Sequence, residues 1–203
     1  MPTFDTASAR EEFPTTESQL HVVFGFGQVG RALVAHLAGD GQSVRIVSRH
    51  QPTDLPVGVD VRVAHVTDVE AAADAAKGAT VVYQCLNAPY TEWPEKFPPL
   101  QQEVIAAAER TGALLVTLEN VYGYGPTGGQ PMTEELALNA TTNKGRARAA
   151  MTNQLLESSD AGRIRMAIGR AADFFGAGVS ASTLGDPRRP STSSRRATGS
   201  RKS

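Results

Sequence analysis

Three glycines carry the clearest chemistry in this chain. Within Leu20-His21-Val22-Val23-Phe24-Gly25-Phe26-Gly27-Gln28-Val29-Gly30-Arg31-Ala32-Leu33, an apolar run ends in Gly-x-Gly-x-x-Gly and a helical pattern opens at once. A dinucleotide pyrophosphate needs that order of strand, glycine turn and helix. Gly25 allows the tight turn, Gly27 lets the backbone approach a phosphate without a Cβ in the way, and Gly30 lets the helix pack closely on the strand. With Phe26, Gln28 and Val29 they form a loop whose free N–H groups, at the positive end of the helix dipole, face the phosphates.

A second group of residues bears on which dinucleotide is bound. In such a site an acid at the end of the second strand binds the ribose 2′-hydroxyl of NAD, whereas an arginine there pairs with the 2′-phosphate of NADP. Here the segment is Arg45-Ile46-Val47-Ser48-Arg49-His50, without an acid. Ser48 can donate to a phosphate oxygen, and Arg49 can meet it with charge-assisted, bidentate bonds. His50 adds charge only when protonated. NADP(H) is the expected cofactor, with NAD as the alternative.

Alternating strand and helix patterns must position these groups. Leu20–Phe24 reads as the first strand and Gln28–Ala38 as a helix, with Val29, Leu33 and Leu37 on one face. Strand two is expected at Ser43–Val47 and strand three at Val59–Ala64, where valines alternate with Asp60 and Arg62. Val69–Ala76 reads as a helix closed by Gly78. Thr80–Leu86 reads as a strand buried on both faces. A loop with Pro89, Trp93, Pro94, Pro98 and Pro99 should then lead to a helix at Leu100–Thr111. Strand five is expected at Ala113–Leu118, a helix at Lys144–Glu157 and strand six at Arg163–Ile168. This alternation predicts an α/β fold, a doubly wound, mostly parallel sheet with right-handed crossovers.

Composition excludes several classes of function. A chain of 203 residues, 40% hydrophobic and 20% charged, can bury a full core. Its net charge of -1 gives no reason to expect nucleic-acid or membrane partners. No apolar run is long enough to span a bilayer, and Met1 to Ser18 lacks a signal-peptide pattern. One cysteine, Cys85, cannot form an intramolecular disulfide and fits a reducing compartment, so a cytoplasmic location is expected. It should be an inert core thiol. His21, His36, His50 and His65 show no metal-ligand spacing, so no metal is expected.

The chain divides into three parts. Residues 1–18 read as a flexible leader and residues 19–185 as the nucleotide-binding domain. Residues 186–203 read as a disordered tail, with six basic side chains between Arg188 and Lys202 and no acid.

Taken together, the motifs resemble the short-chain dehydrogenase/reductase superfamily, in particular its extended NAD(P)-dependent epimerase/dehydratase branch. The likeness runs from Leu20 to Gly185. Beside the glycine turn, Val66-Thr67-Asp68 is similar to the segment that contacts adenine after strand three, implicating Asp68 and Val69. Leu86-Asn87-Ala88 resembles the loop that runs over the cofactor after strand four. Asn120-Val121-Tyr122-Gly123 and Gly169–Gly178 resemble the segments after strands five and six. The resemblance implies hydride transfer on a sugar nucleotide or another small hydroxyl or carbonyl substrate. It also implies a possible homodimer through the helices flanking strands four and five.

Departures from the family pattern matter as much. The family pairs a tyrosine with a lysine four residues later, the lysine tuning the phenol and holding the nicotinamide ribose. Lys144 stands in the lysine's place, but four residues earlier is Ala140, which transfers no proton. The family's substrate-orienting hydroxyl falls near Leu118, where only the adjacent Thr117 carries one. Tyr122 is then the best remaining proton carrier, and Glu119 a weaker one. Tyr90 and Trp93 are expected to pack the proline-rich loop. Beyond strand six the family continues into a substrate-binding region, which is expected to be largely missing here, as a truncation or a change of reading frame would cause. A module that binds dinucleotide without chemistry is the alternative reading.

Overall fold

The computed structural model describes residues 19–174. The leader, the basic tail and the Phe175–Gly185 end of the expected domain lie outside the described residues. Six parallel strands form one sheet: β1 (Leu20–Phe24), β2 (Ser43–Ser48), β3 (Asp60–Val63), β4 (Val81–Gln84), β5 (Leu114–Asn120) and β6 (Arg165–Ala171), in the order β3-β2-β1-β4-β5-β6. Between them run α1 (Gln28–Gly39), α2 (Val69–Ala75), α3 (Trp93–Thr111) and α4 (Asn143–Asp160). This is the doubly wound, Rossmann-like fold expected from the alternation. The order reverses between β1 and β4, where a crevice opens at the carboxyl ends of the strands.

Both faces of the sheet are packed, but unequally. On one, Val34 and Leu37 of α1 press on Val23, Val44 and Ile46. On the other, α2, α3 and α4 bury Val22, Phe24, Val82 and Leu115 with Ala72, Val104 and Leu155. The expectation that strand four is buried on both faces needs correction. Val82 and Gln84 are buried against the helices, while Val81 and Tyr83 on the α1 side are only half-buried, because α1 packs against β1 and β2.

A second correction concerns α3. It begins at Trp93, seven residues before the expected start, and carries Pro98 and Pro99 inside it. An interior proline costs a helix about 3 kcal/mol by removing an N–H and crowding the preceding turn. Tertiary packing offsets this: Trp93, Phe97 and Gln101, spaced by four, are all buried. The indole of Trp93 also donates to the carbonyl of Ala88, 3.0 Å away.

Candidate functional site

The glycine turn behaves as its spacing predicts. Gly25 lies at φ +98°, and a Cβ there would meet the carbonyl oxygen of Cys85 at 2.7 Å. A Cβ on Gly30 would come within 2.1 Å of the Gly25 carbonyl oxygen, so only glycine lets α1 start this close to the turn. On Gly27 it would meet nothing within 4 Å, because it would project into open space. That space is where a phosphate would press against the backbone. Gly27 caps α1 without a side-chain bond, and the first turn holds no acid, so the N–H groups and the helix dipole keep their attraction for an anion.

In front of the turn is a cleft of about 800 Å³. Its walls come from Gly25, Phe26, Gly27 and Arg31, from residues 47–53 after β2, from 64–67 after β3, and from 85–89 after β4. Glu95, Lys96, Pro99 and Leu100 of α3 close the far side. Ser48, Arg49, Leu86, Asn87 and Ala88 line this cleft. The hydroxyl of Ser48 donates to the carbonyl of His50 at 2.7 Å, shaping this corner. Arg49 and His50 are exposed at its rim.

Several expected residues stand elsewhere. Gln28, Val29 and Gly30 contribute backbone behind the turn and do not line the cleft. Asp68 and Val69 do not line it either. The Asp68 carboxylate accepts from the N–H of Ala71 at 3.1 Å and so caps α2, and Ala64–Thr67 form that wall instead. Cys85 lies one residue past β4, half-buried, packed against the α1-side core and lining the cleft at its edge. Burial pushes its thiol up to about 11, which keeps it protonated and unreactive. Thr117 is fully buried on β5, on the sheet face it shares with Leu115 and Glu119, away from the cleft.

Glu119 is held in a charge network. Its carboxylate accepts from Thr152 at 2.9 Å and from Arg170 at 3.1 Å, and lies 3.8 Å from the guanidinium of Arg148. Arg148 is also buried, over the rings of Trp93 and Phe97. Burial lowers its pKa, and the charge of Glu119 opposes that shift.

Neither Lys144 nor Tyr122 lines the cleft; each stands by the aromatic group that follows Pro89, Lys144 over Tyr90 and Tyr122 against Trp93. Thr142 caps α4 and sets Lys144 in its first turn. The Nζ of Lys144 lies 3.1 Å above the ring centroid of Tyr90. Tyr90 opens a 3-10 turn, Tyr90–Glu92, and Tyr122 lies in another, Val121–Tyr124, whose N–H at Tyr122 is fixed by the Asn120 side chain at 3.1 Å. The ring of Tyr122 tilts against Trp93 at 6.0 Å, and the ring of Tyr90 meets the same indole edge-on at 5.7 Å. The Tyr122 phenol is raised chiefly by burial, with its neighbours Tyr90 and Asp173 adding to the rise. It is protonated at neutral pH.

Sequence reasoning missed three contributors. Arg31 follows the third glycine directly, stacks on Phe26 at 4.5 Å and lines the cleft, a position visible in the motif itself. Lys96 and Glu95 were hidden because their segment resembles a loop. Among the described residues no cluster of His, Cys, Asp and Glu could hold a metal, and no helix is long and apolar enough to cross a membrane.

The model of a protein family described as NAD(P)H-binding matches residues 25–161, from the glycine turn to the end of α4. The chain belongs to that NAD(P)H-binding family. No curated protein matches it. Among solved structures, this NAD(P)H-binding chain resembles UDP-galactose 4-epimerase at 20% identity and a TM-score of 0.70, over 83% of this chain and 61% of the other. It resembles UDP-glucose 4-epimerase from Brucella ovis in complex with NAD at 18% and 0.68, over 76% and 52%. A short-chain dehydrogenase/reductase superfamily protein from Agrobacterium tumefaciens with bound NAD matches at 22% and 0.64, over 75% and 48%. The fold is thus the one the superfamily resemblance implied, and the chain spans between about half and three fifths of these proteins' length.

Proposed function

We propose that the chain binds NADP(H) in the cleft and serves hydride transfer to or from a hydroxyl or carbonyl substrate, with sugar nucleotides as the first class to examine. The observation that carries this reading is the open face of Gly27 beside the bare start of α1, with Arg31 and Arg49 on the same cleft. The N–H groups of the turn would hold the pyrophosphate. Arg49 would pair with a 2′-phosphate, in the corner that the bond of Ser48 to the His50 carbonyl shapes. Ala64–Thr67 would flank adenine, and Leu86–Ala88 would run beneath the nicotinamide, which supplies or accepts the hydride when bound. Lys144 would donate to ribose hydroxyls, and the protonated Tyr122 beside it is suited to donating rather than accepting a proton. The matched structures whose names include UDP-sugar epimerases support examining UDP-sugars first.

A second reading, dinucleotide binding without chemistry, is favoured by Ala140. That residue stands where the resemblance would place the family tyrosine, and it has no proton to give.

Calorimetric titration with NADPH and NADH separately tests the assignment. NADPH should bind at least tenfold more tightly, and at a hundredfold excess over its Kd should add about 2.7 kcal/mol of stability. A preference for NADH removes the 2′-phosphate assignment, and binding of neither removes the cofactor assignment. Consumption of the bound cofactor with UDP-sugars and simple carbonyls then separates catalysis from binding alone.

A further inference from the structure

Arg31 and Arg49 both line the cleft, and they share a second property. Every other arginine among the described residues is held by a hydrogen bond or an ion pair within the protein. Arg31 and Arg49 have neither among the described residues. Arg49 has a task in the reading above, at the 2′-phosphate. Arg31 has none. Its position is also a poor one for a cation, since it completes the first turn of α1, where the helix dipole is positive.

The backbone decides where its side chain goes. Arg31 follows Gly27 by four residues, and its N–H donates to the Gly27 carbonyl at 2.9 Å. Residues four apart share a helix face, and a helical side chain leans back towards the N-terminus. That direction carries the Arg31 guanidinium over the Phe26 ring, 4.5 Å from its centroid. Gly27, next to Phe26 in the turn, is exposed, with no atom within 4 Å of where a Cβ would stand. The ring therefore holds the guanidinium at the same helix end as the bare N–H groups.

We propose that Arg31 is a pyrophosphate-binding residue, its guanidinium docked on Phe26 and set to meet the phosphates that the N–H groups of the turn hold. The proposal rests on the cofactor assignment above. The helix end supplies roughly half a positive charge, against the two negative charges of a pyrophosphate. An unpaired guanidinium at that end supplies what the balance lacks, and its planar fork can give a phosphate two parallel bonds. Phe26 covers a face of the guanidinium and leaves the N–H edge free. It thereby limits the entropy lost when a long side chain is ordered on a ligand. The two arginines then divide the dinucleotide. Arg31 acts on the bridge common to NADH and NADPH, and Arg49 on the phosphate that NADPH alone carries.

Arg31→Gln removes the charge at an exposed position and keeps a polar side chain. The wild type, Arg31→Gln, Phe26→Leu and the double variant would be titrated by calorimetry with NADPH and with NADH. Arg31→Gln should weaken both cofactors by the same factor, about ten- to a hundredfold, the worth of charge-assisted bonds. Phe26→Leu should weaken both by about threefold, and by nothing further once Arg31 is already replaced, because the ring acts through the guanidinium. Unchanged affinities in Arg31→Gln overturn the proposal. A loss confined to NADPH overturns it too, since Arg31 would then read the 2′-phosphate. A Phe26→Leu effect that persists in the double variant overturns the docking of the guanidinium on the ring. Arg31→Gln alone decides the role if Phe26→Leu melts below the wild type. A wild type that binds neither cofactor overturns the cofactor assignment and this role with it.

Discussion

The two ends of the cleft are built on different principles. At the β1–α1 end the working parts are backbone: three glycines, bare N–H groups and the direction of a helix. At the α4 end they are side chains brought from three distant segments, with Lys144 over Tyr90, Tyr90 and Tyr122 both against Trp93, and Glu119 and Arg148 buried. The first end depends on the absence of atoms, so almost any added atom harms it. The second depends on mutual neutralisation, so it tolerates a change of size better than a loss of charge.

Removing charge at the α4 end should have the largest effect. Glu119→Gln leaves the Arg148 guanidinium buried without its counter-charge, and such a loss costs about 3–5 kcal/mol. The urea midpoint should fall accordingly, and an unchanged midpoint would mean that the network is not what holds α4 to β5. Gly30→Ala makes the matching attack on the other end. Its Cβ would lie 2.1 Å from a backbone carbonyl that cannot move aside, so a loss of about 3 kcal/mol is expected, together with loss of NADPH binding by calorimetry. If Gly30→Ala keeps both stability and affinity, the contrast between the two ends fails.

Smaller changes sharpen the comparison. Arg49→Ala should weaken NADPH by about ten- to a hundredfold, the worth of a charge-assisted bond, while NADH affinity stays constant. Equal loss for both cofactors would show that Arg49 contacts something other than a 2′-phosphate. The smallest effect should come from His21, which lies on β1 with Nδ1 3.0 Å from the Tyr83 hydroxyl. Burial holds its pKa below the ordinary 6.5, against a raising hydrogen bond from Gln42. Below pH 6.5 the unfolded chain therefore binds the proton first, and stability falls until the folded pKa is passed. Thermal melting should show this decline, and His21→Gln should flatten it. Asp60, whose carboxylate is lowered chiefly by its bond to Arg45, adds its own loss only below about pH 3.8.

The same division decided what could be seen in the sequence. The run Leu20–Phe24 and the helix start at Gln28 were legible because a glycine turn is a local demand, met within six residues. Ser48 and Arg49 followed, since the end of β2 lies at a fixed distance along the fold. The start of α3 was not legible. Pro94, Pro98 and Pro99 speak locally for a loop, and the helix forms because Trp93 and Phe97 gain a buried site that only the folded chain provides. The contact of Tyr90 with Lys144 was not legible either, since the two lie 54 positions apart along the chain. Asp68 shows a local signal instead: its carboxylate caps α2, as an aspartate just before a helix does.

Trp93 is the only tryptophan in the chain. Its indole is tied to Ala88 on the cleft wall and lies within 6.0 Å of the rings of Tyr90, Phe97 and Tyr122. Every photon of tryptophan fluorescence from the protein therefore originates in the partition between the cleft and the tyrosine pair. Reduced nicotinamide absorbs where tryptophan emits, so a dinucleotide seated beside that partition would announce itself by quenching, with no label attached. The protein carries its own optical gauge on the wall of the cleft.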